Sequence, residues 1–225
     1  MFKSIKTGVV AVILIGTALI AQAQKKITEG TLTYGIEYSL TDEQKGYEAM
    51  LPKQTAIKFK DNLSKIEMER GPALIKIISD KNTKTGLLLV DVPIAQKQYA
   101  AKMSKEDFDA FKGESPKFSD FKATGEKQKV GSYDAEKYTY KDENGGAYEL
   151  WATNDVLLPE GYKDEEFKDV KGTLIKFTVI QNGVKSTLTL KGIKEEKVGT
   201  LSIDVPKGYE LKTMAEMKAM QGGGQ

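Results

Sequence analysis

Any chemistry in this chain has to come from carboxylates, lysines and tyrosines, because its 225 residues include neither cysteine nor histidine. That removes thiolate nucleophiles, imidazole proton shuttles, serine–histidine–aspartate triads and histidine-ligated zinc. Two acidic runs have the spacing of paired catalytic carboxylates, Glu195-Glu196 and Asp164-Glu165-Glu166. Both are flanked by lysines, which is the pattern of a solvated face rather than of an acid–base pair. Asp80-x-Asn82 and Asp142-Glu143-Asn144 gather oxygens, but neither supplies the full ligand set of a calcium loop, and turn chemistry accounts for both. Arg70 is the only arginine. It could gate a groove through an ion pair, but Arg-Gly-Pro is also an ordinary turn. The expectation is a non-enzymatic protein with no cofactor, no metal and no catalytic residue.

The first segment sets the compartment. Lys3 and Lys6 begin it, Gly8 to Ile20 is apolar, and Ala21-Gln22-Ala23 fits the small-x-small cleavage rule. Residues 1–23 therefore read as a signal peptide cut after Ala23. The apolar run is shorter than the ~20 residues that span a bilayer. No cysteine stands at the cut, which argues against a lipid-anchored export signal. A periplasmic or secreted protein is expected. Without Lys3 and Lys6 the 34 basic side chains become 32, against 32 acidic ones. A balanced charge with one arginine argues against nucleic acid, which needs a clustered positive footprint. With no disulfides available, the fold must stand on burial and backbone pairing.

The elements that would position any site are mostly strands. Leu32, Tyr34, Ile36, Tyr38 and Leu40 alternate with smaller or polar residues, the period of two of a half-buried strand. Strands are expected around Ile57 and Phe59, around Ile66 and Met68, and over Leu74–Ile78, Leu87–Val90 and Gln98–Ala101. Thr41 to Leu51 reads as a loop or short helix. Ser104 with Asp107 approaches a capping box, with Met103 and Phe108 at the staple positions, Phe111 at the next turn, and Gly113 as the stop. The segment from Gly131 to Asp155 reads as a central hairpin. Tyr138 and Tyr140 share one face of its first arm, and Tyr148, Leu150 and Ala152 share one face of its second. Asn144, Gly145 and Gly146 supply the positive-φ turn. Trp151, the only tryptophan, falls on the opposite face. Pro159 to Val170 is an acidic connection with one helical turn near Phe167. Asn182-Gly183 joins two more strands, and Leu201, Ile203 and Val205 alternate in a last one. Leu211 to Met220 is an amphipathic helix carrying Met214 and Met217, followed by a disordered tail, 221–225. No repeat or linker divides residues 24–220, so one domain is expected.

A leading alternating strand behind a signal peptide, a meander and a mid-chain helix together resemble the LolA/LolB-type lipoprotein-carrier superfamily. So do Gly131-Ser132-Tyr133-x-Ala135-x-Lys137-Tyr138, Glu149-Leu150-Trp151-x-Thr153-x-Asp155 and Val205-Pro206-x-Gly208-Tyr209. The chain is more closely similar to the domain-of-unknown-function family 4412 of exported Bacteroidota proteins. The residues themselves give a mainly β, antiparallel meander of about ten or eleven short strands with two or three short helices, and the likeness implies that it is a strongly curved half-barrel with those helices on its concave face. It also implies a hydrophobic groove, which in the carriers holds acyl chains.

The residues lead the same way independently. A broad apolar sheet face with few helices to cover it must curl on itself, dimerise, or hold an apolar ligand. Tyr34, Ile36, Tyr38, Tyr138, Tyr140, Tyr148 and Leu150 are then groove-lining candidates, with plain core as the alternative. Phe108, Phe111, Met214 and Met217 are candidates for a lid. The expected partner is a lipid or another acyl-chain ligand, bound by a monomer that contacts a membrane or an envelope protein. The competing expectation is the same fold with a filled core, acting as an envelope interaction or stress-sensing protein.

Overall fold

The computed structural model describes residues 25–222 except Gly71, Gly113, Glu114, Glu160, Asp164 and Asn182. The leader expected over 1–23 lies outside the described residues. Fourteen strands follow in chain order: β1 (Lys25–Lys26), β2 (Glu29–Ser39), β3 (Gln54–Lys60), β4 (Leu63–Arg70), β5 (Ala73–Asp80), β6 (Thr85–Val92), β7 (Lys97–Met103), β8 (Phe118–Val130), β9 (Tyr133–Asp142), β10 (Ala147–Thr153), β11 (Val156–Leu157), β12 (Thr173–Gln181), β13 (Val184–Glu195) and β14 (Glu210–Leu211). Helix α1 (Lys105–Lys112) lies between β7 and β8, and α2 (Met214–Gly222) ends the described chain. Short 3-10 turns occupy Lys45–Met50, Pro93–Ala95 and Glu165–Phe167.

Twelve strands form one sheet in the order β14-β7-β6-β5-β4-β3-β2-β13-β12-β10-β9-β8. Strands β2 to β7 are consecutive antiparallel hairpins, and so are the strands from β8 to β13, once β11 is set aside. The two runs meet where β2 pairs with β13, from Ser39 opposite Lys185 to Gly30 opposite Glu195. The sheet is not purely antiparallel, because β14 joins β7 in parallel and β1 pairs with β11 in parallel to make a separate two-stranded sheet. The pairing of β1 with β11 is thus a built element of its own. It brings Ile27 into the core beside Trp151 and Val156.

Period-two alternation places the core. Directly opposed residues share a face, so the ladder partners Leu32, Ile57, Ile66, Ile77, Leu88 and Ala101 form one apolar row across β2 to β7. On that face α1 and α2 pack against Ile75, Ile77, Leu88 and Met103 through Phe108, Met214 and Met217. On the opposite face Ile78, Leu87, Leu89 and Ala100 are covered by Ile203, Val205 and Tyr209. The expected last strand over Leu201–Val205 is thus not a strand. The segment lies on the sheet's face rather than along its edge, so its alternation comes from packing and its backbone joins no ladder.

Local signals set the helix starts. The Asp107 amide donates to Ser104 Oγ at 3.1 Å, and the Ser104 amide donates back to Asp107 Oδ2 at 2.9 Å, a full capping box at α1. Thr213 and Glu216 make the same box for α2, at 3.2 and 2.7 Å. That cap starts α2 three residues later than expected and leaves Leu211 in β14, 60% exposed. The helix runs through Gly222, two residues into the expected tail; residues 223–225 lie outside the described set.

Candidate functional site on one face of the sheet

The seven strand residues read from the sequence do share one face. Tyr138 opposes Leu150, and Tyr140 opposes Tyr148. Leu190 opposes Tyr34, while Leu188 opposes both Ile36 and Phe177. Phe177 joins these sets, since its ring lies 5.8 Å from Tyr34 and 5.8 Å from Phe167. Trp151 alternates with Leu150 and opposes Lys137, whose Nζ stands 5.9 Å over its ring, and it packs in one cluster with Ile27, Val156, Ile175 and Tyr34.

Sharing a face does not gather these residues around one space. Tyr34 belongs to a cluster with Leu32, Phe59, Ile175 and Leu190, and its hydroxyl donates to the Leu174 carbonyl at 3.2 Å. Tyr138, Tyr140 and Leu150 belong to a second cluster with Phe167, Val170 and Leu174, against which Tyr148 packs. Phe108, Met214 and Met217 belong to a third, at the far end of the sheet. Ile36 and Tyr38 are half-buried outside all three. The Tyr38 hydroxyl donates to the Pro52 carbonyl at 3.1 Å. Phe111 lies within α1, but its side chain falls outside the described ones, as do those of Arg70 and Glu165.

Beside the first cluster, against which Ile57 and Leu188 pack, the apolar face is only partly covered. Ile57 and Ile66 on β3 and β4, Leu188 on β13 and Ile36 on β2 are half-buried, and Met68 is 38% exposed. One side of this strip is bounded by Met214 and Met217. The other is bounded by the connection from Leu158 to Val170, whose Tyr162 packs on Phe59 at 5.2 Å and donates its hydroxyl to the Leu63 carbonyl. Burial pushes the Tyr162 phenol up, so it stays a donor.

Phe167, from that same connection, enters a nest of rings that the sequence did not disclose. Tyr140 is its centre. Phe121 stacks on it at 5.0 Å, Tyr148 stacks at 5.4 Å, and Phe118 and Phe167 meet it edge-on at 5.0 and 5.9 Å. Burial pushes the Tyr140 phenol up to about 12. Phe118 and Phe121 come from β8, a strand the sequence reading left out. Apart from those two and Val130, every β8 side chain is exposed, so no apolar alternation marks it. Next to the nest an open cleft of about 530 Å3 lies between the start of β8 and residues Glu166 to Asp169. A second cleft, about 370 Å3, is lined by charged groups such as Lys127, Lys129, Asp134 and Asp155.

Glu195, Glu196, Asp142 and Asp80 are held in ion pairs and turns, while Asp164 lies outside the described residues. Glu195 pairs with Lys25 at 2.6 Å, and Glu196 pairs with Lys194 and accepts from Thr31. Asp142 accepts from the amides of Asn144 and Gly146 and from the Tyr148 hydroxyl, tying its own turn. Of the three residues expected to supply that turn's positive φ, only Gly145 does so, at +82°. Asp80 accepts from Asn62, Asn82 and Thr83 in the same manner. Among the described residues no three acidic side chains come together as a metal site, and no helix is long and apolar enough to cross a membrane.

Comparison with protein-family models and with curated proteins found no match to this chain.

Proposed function

We propose that this is an exported, non-enzymatic protein that binds a lipid or another long-chain apolar ligand on the partly covered face of its sheet. The observation that carries this reading is the half-buried strip of Ile36, Ile57, Ile66, Leu188 and Met68, flanked by ring and methionine clusters. An acyl chain laid on such a strip gains about 0.8 kcal/mol per methylene removed from water, with little directional recognition. Methionines at one border suit this, because their flexible thioethers adapt to irregular apolar shapes.

A curved sheet is part of the proposal, and chain reach supports it. β7 and β8 stand ten strand positions apart in the sheet order. In a flat sheet that is roughly 48 Å at ~4.8 Å per strand. Residues 104–117 join them with an eight-residue helix and six further residues, which together reach only about 32 Å. A side chain at Gly131, in the turn between β8 and β9, would place its Cβ 3.9 Å from the Leu190 carbonyl on β13, three strands from β9. Both facts favour a sheet bent toward the face that carries α1 and α2, as in a half-barrel.

A second reading has its own observation. Tyr34, Tyr138, Tyr140 and Leu150 are at most 6% exposed, held by the chain's own side chains. A protein filled in this way would act by docking to an envelope partner rather than by carrying a ligand. Organic extraction of the purified protein followed by mass spectrometry separates the two. Co-purified lipid, or saturable binding of a fluorescent fatty acid, is the expected result. An empty protein that ignores such probes rejects the carrier reading in favour of the docking one.

A further inference from the structure

Among the described residues, the Tyr140 hydroxyl is the one buried side-chain polar atom with no hydrogen-bond partner. The side chain is 1% exposed; the Thr178 backbone and hydroxyl stand close enough to oppose the effect of burial on the phenol, but neither meets it at hydrogen-bond geometry. An orphaned donor in a packed interior is costly, and such a group in a native fold calls for a reason. Its surroundings supply one. Phe118 and Phe121 wall the 530 Å3 cleft on one side, and Glu166, Lys168 and Asp169 wall it on the other. Phe167 lies between those last three in sequence, yet its ring turns inward, 3% exposed, against Phe118, Phe121 and Tyr140. Phe118 and Phe121, which line the cleft, both pack on the Tyr140 ring, and Phe167 packs against all three. Beyond it, Phe177 leads through the ladder to Leu188 and Ile36, the start of the half-buried strip.

We propose that Phe167 fills the place of a ligand's apolar group, and that the Tyr140 hydroxyl donates a hydrogen bond to the carbonyl or carboxylate oxygen of an acyl ligand entering from the cleft. This deepens the apolar-ligand reading and rests on it. The ligand's head is fixed by a single donor, and its chain runs along the rings toward Leu188 and Ile36. At neutral pH the phenol stays protonated, since burial holds it near 12, so it acts as a donor and repels no carboxylate.

Two probes test the assignment: a conjugated polyene fatty acid, which carries an acceptor, and diphenylhexatriene, which carries none. Phe167→Ala and Phe167→Leu should bind both probes more tightly than the unaltered chain. The leucine variant keeps the question answerable if the alanine variant fails to fold. Tyr140→Phe should weaken the fatty acid about tenfold, the worth of one buried hydrogen bond to a charged acceptor, and leave the hydrocarbon unchanged. If neither probe binds the unaltered chain or either Phe167 variant, the carrier reading itself fails and takes this inference with it. If both probes bind but Tyr140→Phe treats them alike, the Tyr140 assignment is overturned and the carrier reading stands.

Discussion

At the β5–β7 end the sheet is sandwiched. Met214 and Met217 cover Ile75, Ile77 and Leu88 on one face, while Ile203, Val205 and Tyr209 cover Ile78, Leu87 and Leu89 on the other. At the β8–β10 end one face holds a nest of aromatic rings around an unpaired hydroxyl, and the outermost strand shows nearly all its other side chains to solvent. The first arrangement is what a stable layered fold requires. The second departs from it at one buried polar atom, beside an open cleft, and departures of that kind concentrate where a fold gives up stability for function. On the proposed reading, the aliphatic end serves the fold and the aromatic end serves the ligand.

The largest effect that bears on this contrast is expected from Leu88→Ala, set against Ile66→Ala. Leu88 is 2% exposed beneath α2, and its truncation should cost 2–5 kcal/mol, the usual range for a buried leucine. Ile66 lies on the same row but is half-buried, and should cost about 1 kcal/mol. Chemical denaturation of both variants measures this. Equal losses would mean that the strip over β3 and β4 is as tightly covered as the β5–β7 end.

A polar latch on the sandwiched end gives the next effect. Asp91 accepts from Lys76 at 2.6 Å, from Tyr209 at 2.5 Å and from Gln98 at 3.2 Å. Burial alone would raise the Asp91 carboxyl, but hydrogen bonds from Lys76 and Tyr209 outweigh it and hold the group below its ordinary 3.8. The Asp91 bond in turn holds Lys76 above its ordinary value. A depressed folded-state carboxyl contributes stability that is present above pH 3.8 and is lost as pH falls through the folded value. Asp91→Asn should therefore cost about 1–2 kcal/mol at neutral pH. In denaturation series run at stepped pH, its gap from the unaltered chain should close below pH 3.8. A gap constant down to pH 2 would show that the charge of Asp91 is not what the latch uses.

The smallest effect has the opposite sign. Removing an orphaned buried hydroxyl removes its desolvation cost, so Tyr140→Phe should raise stability by about 1 kcal/mol in the ligand-free protein. A thermal melt with unchanged or lowered midpoint would place a hydrogen bond where none is drawn, and would dull the contrast between the two ends.

How much of this could be read in advance depended on which force shaped each element. Strands with one wet face announce themselves by alternation, so β2 was legible, and so were the face shared by Tyr138 and Tyr140 and the face shared by Tyr148 and Leu150. So was the Ser104–Asp107 cap, because its hydrogen bonds are local. β8 was illegible because an exposed edge strand buries almost nothing; its two register shifts and the positive φ of Asp120 further disturb any period. Leu201, Ile203 and Val205 misled for the converse reason: an extended segment lying across a sheet face alternates as a strand does. β1 and β14 are two-residue parallel pairings whose partners lie far off in sequence, and nothing in Lys25-Lys26 or Glu210-Leu211 encodes them. Which rings converge on Tyr140 was hidden likewise, since Phe118, Tyr148 and Phe167 arrive from three separate segments.

The β2–β13 ladder carries a consequence for how the chain comes into being. Its ten opposed pairs join residues 30–39 to residues 185–195. Synthesis delivers β2 first, so until the last hairpin emerges one margin of an eleven-residue, alternately apolar strand has no neighbour. The entropy of closing so long a loop must be met before that seam yields anything in return, which makes its zipping slow. Throughout that interval the nascent polypeptide offers a ready template for aggregation, and a chaperone that shields Leu32 through Tyr38 would meet its greatest need there.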